Sequence, residues 1–323
     1  MSDAGLDVRG LQTVLSTGGG PVPVISDISF TLRPGETLCL VGESGSGKSM
    51  TALSIVRLLP AAARVNAGEI LLGDIDLARL PDSGMRSVRG RRVAMVFQDS
   101  MTSLNPLLTI GRQLTEGMEL HLGLSPAVAR ERAVALLAQV GVPAARERVE
   151  QYPHQLSGGL RQRAAIAIAL SAEPEILIAD EPTTALDVTT QAQILELLAR
   201  EQQRRGMGLL LITHDVGVVA RMATTVGVMY AGRIVEKAPS DMLFRDPRHP
   251  YTRGLLKSVP RMDTDLTAPL TSIPGTPPAI ANLPEGCSFN PRCPSRFDRC
   301  LTERPPLIER KAGHPVACHL EDA

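Results

Sequence analysis

Gly42-Glu43-Ser44-Gly45-Ser46-Gly47-Lys48-Ser49 follows the apolar run Thr37-Leu38-Cys39-Leu40-Val41 and precedes a stretch with helical spacing, Ser49 to Leu59, that stops at Pro60. The run does not alternate, which suits a central parallel strand buried on both faces. Strand, glycine loop and helix form the context in which a GxxxxGK[ST] string works as a phosphate cradle. Its glycines let backbone N–H groups point inward as an anion nest, and the helix adds its N-terminal dipole. Lys48 supplies a point charge to the phosphates, and Ser49 a hydroxyl for Mg²⁺.

Further along, Ile176-Leu177-Ile178-Ala179-Asp180-Glu181 reads as a buried strand ending in two carboxylates. Open α/β sheets present ligands at such carboxyl ends. Asp180 can hold Mg²⁺ through water, and Glu181 can polarise an attacking water. Leu209 to Thr213 is another short buried strand, with a helix over Gln191 to Arg205 between the two. This alternation predicts a parallel sheet with crossover helices. Residues 6 to 41 read as short strands, with Gly18-Gly19-Gly20-Pro21 as a loop and Arg33-Pro34-Gly35-Glu36 as a turn. Residues 100 to 170 read as mostly helical. Arg130 to Val140 places Ala133, Leu136, Leu137 and Val140 on one face. In Leu156-Ser157-Gly158-Gly159-Leu160-Arg161-Gln162, Ser157 is a plausible N-cap, with a helix over Arg161 to Leu170. A hydroxyl, glycine amides and a helix N-terminus suit an anion.

Together these strings resemble the ATP-binding cassette (ABC) ATPases over residues 6 to 258. The resemblance implies a P-loop α/β domain with a mostly parallel sheet core, an antiparallel β edge and a helical subdomain inserted at about residues 100–170. It implies nucleotide contacts from Gly42, Glu43, Ser44, Gly45, Ser46, Gly47, Lys48, Ser49 and Met50. Gln98, after Val93-Ala94-Met95-Val96-Phe97, resembles the Q-loop glutamine that senses Mg²⁺ and the γ-phosphate. Asp187, in Thr184-Ala185-Leu186-Asp187, resembles the D-loop aspartate, and His214 the switch histidine. Leu156 to Gln162 resembles the signature segment, whose Ser157, Gly158, Gly159 and Gln162 would contact ATP held by another subunit. The family usually stacks an aromatic residue on adenine. By position the equivalent here is Leu15, and no Trp, Tyr or Phe precedes Phe30. Leucine covers a base by apolar contact but lacks a π-face.

Gln98-Asp99-Ser100-Met101-Thr102-Ser103-Leu104-Asn105-Pro106, Tyr152-Pro153-His154-Gln155 and Arg248-His249-Pro250-Tyr251-Thr252 are similar to the dipeptide and oligopeptide import branch. The resemblance implies a motor subunit working with a second ATPase (a paralogue or a copy of itself), two transmembrane permease subunits and an external solute-binding protein. Nickel, glutathione or another small solute is the alternative cargo. A soluble ABC ATPase acting on DNA or ribosomes is the rival class, but the chain has one cassette, no long heptads and no basic arm.

Composition agrees. The 323 residues carry 34 Lys plus Arg against 34 Asp plus Glu, so no global charge calls for nucleic acid or an acidic membrane as partner. No apolar run approaches the roughly 20 residues needed to span a bilayer. The start lacks a signal-peptide pattern, which leads us to expect a protein kept at the cytoplasmic side of the membrane. From residue 239 prolines concentrate, 14 of the 25, which excludes long helices. We place a boundary after a last helix at about Tyr251 to Ser258, leaving residues 259–323 as a loop-rich extension. Of the five cysteines, Cys39 reads as a buried apolar residue and four lie in that extension. Cys287-x5-Cys293-x6-Cys300-x17-Cys318 lacks the Cys-x2-Cys pairs of zinc ribbons, and a cytoplasmic setting argues against two disulfides. Four thiolates suit a [4Fe–4S] cluster, which relatives in this branch carry; zinc and reduced structural thiols are the alternatives.

Overall fold

The computed structural model describes residues 5–98, 103–184, 186–258 and 272–322. Asp99 to Thr102, Ala185 and the stretch 259–271, on which parts of three sequence expectations fall, lie outside them. The chain divides into two compact units. One comprises Met1–Leu6, Leu32–Glu36 and Leu71–Ile212, and the other Asp7–Thr31, Thr37–Ile70 and Thr213–Ala323.

In the first unit three short strands run parallel. Val93–Val96 pairs with Ile176–Asp180, and Ile176–Asp180 pairs with Gly208–Thr213. All five side chains of Ile176–Asp180 are buried, as its unbroken apolar run requires. The entry to this strand is fixed by Arg92, whose guanidinium grips Glu175 with two bonds of 2.6 and 2.8 Å while its carbonyl accepts from Ile176. The longer helices of the unit are Ile110–Leu122, Pro126–Gln139, Gly158–Leu170 and Val188–Arg205. Ala133, Leu136, Leu137 and Val140 are all buried, so the spacing that predicted one apolar face is realised. Gly111 allows two segments to approach closely: a Cβ there would lie 2.7 Å from the carbonyl oxygen of Val149.

In the second unit Thr37–Val41 pairs in parallel with Thr225–Tyr230, which in turn pairs antiparallel with Arg233–Pro239. The helix after the cradle is Lys48–Ile55. It ends one turn before the expected Leu59, because the chain reverses at Arg57, where φ is 51°. The Leu58 N–H then closes back on the Leu53 carbonyl at 2.9 Å, a helix-terminating bond.

A second correction concerns residues 6 to 32. They form two long strands, Leu6–Thr17 and Gly20–Leu32, instead of several short ones. Apart from the buried Thr13, the polar residues within them occupy exposed or half-buried positions, so they do not break the elements.

Residues 272–322 contain only short elements, the longest being the helix Asp298–Thr302. Within the second unit, one buried carboxylate ties them to the strand Arg233–Pro239. Glu236 follows a bulge between Ile234 and Glu236 and is fully buried. It accepts hydrogen bonds from the backbone N–H of Arg248 (2.8 Å) and His249 (2.9 Å), and meets Nε2 of His314 at 2.7 Å. Val316 pairs with Glu236 in antiparallel register, and the Ala317 N–H donates to Val235. Three partners around one buried carboxylate, with this backbone pairing, substitute for a large apolar core in this loop-rich stretch.

Candidate nucleotide site

The cradle lies in the second unit and is shaped by glycines that no other residue could replace. Gly42 has φ 155°, and a Cβ there would stand 2.2 Å from the Met229 carbonyl oxygen. Gly47 has φ 102°, with Ile25 at 2.9 Å from its added Cβ. The loop is also bonded to the strand turn beneath it, the Gly232 N–H donating to the Ser46 carbonyl at 2.9 Å. Lys48 is buried, and its ammonium donates to the carbonyls of Gly42 and Glu43 at 2.9 and 3.0 Å. Its positive charge is thereby held within the ring of backbone that the sequence assigned to phosphate. Ser44 and Gly45 are exposed, while Ser49 and Met50 are half-buried at the start of the helix. Ser46 Oγ is buried without a hydrogen-bond partner.

The acidic pair belongs to the first unit. Asp180 is the last strand residue and is buried, whereas Glu181 is half-buried just beyond it. Glu181 has φ 44°, an uncommon conformation for a residue with a side chain. Its N–H donates to the Ile212 carbonyl at 2.9 Å, which fixes this turn against the neighbouring strand. Its carboxylate accepts from Gln98 Nε2 at 3.0 Å and from Thr184 Oγ1 at 2.9 Å. Two residues 83 positions apart, selected separately from the sequence, therefore meet directly. Thr184 was part of the quoted D-loop string but was not expected to touch Glu181.

Also in the first unit, Ser157 occupies the N-cap position of Gly158–Leu170, as predicted. The helix starts three residues earlier than expected, and the Ser157 hydroxyl makes no capping bond. Ser157 and Gly158 are exposed, leaving the helix N-terminus open. Gly159 rests against Thr190, 2.9 Å from an added Cβ. Gln162 is buried, with its Nε2 unpartnered. Asp187 is an N-cap, which the sequence reading missed although Thr190 stands three residues on. It accepts from the Thr190 N–H at 3.0 Å and from the Thr190 hydroxyl at 2.7 Å, and these bonds hold its carboxyl below the usual range.

In the second unit, His214 is exposed just after Thr213, and Asp215 caps the next helix through the Gly217 N–H at 2.8 Å. Leu15 is half-buried on its strand.

Comparison with known proteins agrees with this geometry. Residues 25–184 match the family described as ABC transporter, and residues 235–300 match the oligopeptide/dipeptide transporter C-terminal region. A peptide import ATP-binding protein of Brucella melitensis is 51% identical over 324 residues, covering 97% of this chain and 96% of the relative. The chain belongs to the ATP-binding subunits of ABC transporters. A dipeptide transport ATP-binding protein of Bacillus subtilis, DppD, is 50% identical, covering 98% of this chain and 95% of the relative. A dimeric ATP-binding cassette in a post-hydrolysis state with ADP and Pi superposes with a TM-score of 0.66 at 27% identity, covering 73% of this chain and 98% of the other. This cassette is thus an ATPase, and no helix among its described residues is long and apolar enough to cross a membrane.

The four cysteines of the C-terminal extension were expected to act together. Cys287, Cys293, Cys300 and Cys318 line one cavity in the second unit. Burial pushes the thiols of Cys287 and Cys293 up and that of Cys318 to about 11, and the neighbouring cysteines of the group add to each rise. Among the described residues no group of three or more His, Cys, Asp or Glu could hold a metal ion, so this geometry does not bear out the expected cluster. Cys39 is buried alone in its strand, as expected.

The Gly42 contact gives a direct test of the cradle's construction. Gly42→Ala is expected to destabilise the chain by about 3 kcal/mol, the upper end for overpacking against fixed backbone, and to weaken Mg–ATP binding severely. Denaturant unfolding and calorimetric titration with Mg–ATP measure the two effects.

Proposed function

We propose that this cassette is one of a pair of motors that drive import of di- or oligopeptides across the cytoplasmic membrane, docked on its inner face. The relatives' roles in peptide import and the match of residues 235–300 support the cargo class. In this reading residues 6–258 form the ATPase domain, with a helical subdomain at about 100–170, and residues 259–323 form an appended module. The membrane partners are two permease subunits, peptides arrive through an external binding protein, and nucleic acid plays no part. The second cassette is a paralogue or another copy of this chain.

The roles follow from chemistry. Gly42 to Met50 cradle the triphosphate, Lys48 supplying the charge, and Leu15 covers the base by apolar contact. Ser49, Asp180 and Gln98 offer oxygen ligands of the kind a hard cation selects. Mg²⁺, when bound, offsets the phosphate charge. Glu181 accepts a proton from the attacking water, and Gln98 and His214 orient the γ-phosphate end. Ser157, Gly158, Gly159 and Gln162 face ATP on the second cassette, with Asp187 beside them. The observation that carries this reading is the 3.0 Å bond between Gln98 and Glu181, which links the presumed cation sensor to the presumed base. Glu181→Gln is expected to bind Mg–ATP normally while losing hydrolysis by about 10²-fold or more. Undiminished turnover would remove the assignment.

The cysteine cavity is assigned to a [4Fe–4S] cluster held by Cys287, Cys293, Cys300 and Cys318. What supports this is the donor set: four thiols line one cavity. Bound metal staples a stretch with little core of its own. Protein purified without oxygen is expected to contain about four iron atoms per chain. One zinc and no iron would refute the assignment.

A further inference from the structure

The cradle is touched by a side chain 249 residues away in sequence. Arg292 ends the short turn Asn290–Arg292, between Cys287 and Cys293. Its side chain is only 4% exposed. The guanidinium grips the Glu43 carboxylate at both oxygens, Nη1 to Oε2 at 2.6 Å and Nη2 to Oε1 at 2.9 Å. Nε donates to the Pro274 carbonyl at 2.9 Å, which fixes the plane of the fork. The Tyr230 ring lies beneath, 5.9 Å from the guanidinium carbon. The bonds to Glu43, more than any other cause, raise the already high pKa of Arg292.

Glu43 is held by its main chain as well. Its N–H donates to Tyr251 Oη at 2.8 Å, and its carbonyl accepts from Lys48. Tyr251, Tyr230 and Phe289 form one aromatic cluster with ring centres 4.7 to 5.5 Å apart. Phe289 stands two residues after Cys287, so the cysteine segment and the cradle share one packed support.

Glu43 poses an electrostatic problem for a phosphate site. A carboxylate in the second position of the cradle repels an incoming triphosphate, and partial burial strengthens that repulsion relative to water. We propose that Arg292 is a positioning residue for nucleotide binding: it neutralises and fixes Glu43, so that residues 272–322 set the affinity of the cradle for Mg–ATP. This rests on the reading of Gly42 to Ser49 as the ATP cradle. A purely structural ion pair makes a different prediction. Losing Arg292 alone would then lower the stability of the chain, and removing both charges would restore it, while the Mg–ATP affinity of the folded chain stayed unaltered throughout.

The test measures Mg–ATP affinity of the full chain by calorimetry. R292Q is expected to weaken binding about tenfold at low ionic strength, and less at high salt as the bare carboxylate is screened. Adding E43Q to R292Q is expected to restore affinity to within about threefold of the unsubstituted chain, because the repelling charge is then gone. Unaltered affinity in R292Q, or failure of E43Q to rescue it, would overturn the proposal. If R292Q does not fold, the double variant decides: binding within about threefold of the unsubstituted chain is expected, and a larger loss would overturn the proposal. Absence of binding by the unsubstituted chain would overturn the cradle assignment along with this inference, whereas normal binding that R292Q leaves unchanged overturns only the inference.

Discussion

The loop after Thr37–Val41 passes so close to the neighbouring strand that residue 42 has no room for a side chain. A Cβ there would stand 2.2 Å from the Met229 carbonyl oxygen, inside any tolerable contact. That single approach sets the direction in which the next seven residues leave the sheet. Ser46 then bonds to Gly232, Gly47 fits against Ile25, and Lys48 turns its ammonium back onto the carbonyls of Gly42 and Glu43. A cradle of backbone dipoles is only as good as its rigidity, because donors that must reorganise on binding contribute less. The sheet, through Met229, supplies that rigidity.

Much of this was legible in the sequence because it is local. The cradle, the buried strands and the acidic pair each fall within eight consecutive residues, and their glycines and apolar runs state a backbone geometry directly. Thr37–Val41 has the bounds expected, and Ile176–Asp180 stops a single residue short of the quoted string. Helix ends were less legible. The positive φ at Arg57 ends one helix early, and a side chain does not announce a left-handed turn the way a glycine does. The hairpin strands were underestimated because alternating exposure makes a long strand look interrupted.

What the sequence hid are meetings between distant residues. Nothing in Arg292 or Glu43 alone suggests a partner 249 positions away, and Glu236 and His314 are equally silent. These contacts have no period and no spacing rule, since tertiary packing creates them. They explain how a proline-rich stretch of small elements is fastened beside a nucleotide site, and why its cysteines, its aromatic cluster and the cradle's glutamate form one connected body of contacts. Gln98 and Glu181 lie between these extremes. Each was identified from its own motif, and only the fold brought the pair to 3.0 Å.

The account makes this chain half of a paired motor, with one segment serving a cradle that is not its own. The Gly158 and Gly159 amides start a helix and so have no intrahelical acceptor. Amide hydrogen exchange of Leu156 to Gln162 in Glu181→Gln tests the claim most directly. In the isolated monomer saturated with Mg–ATP these amides should exchange as fast as in the nucleotide-free chain. In the assembled pair, Mg–ATP should slow them strongly, because they then donate to the other cassette's nucleotide. Slowing in the monomer, or none in the pair, would contradict the account.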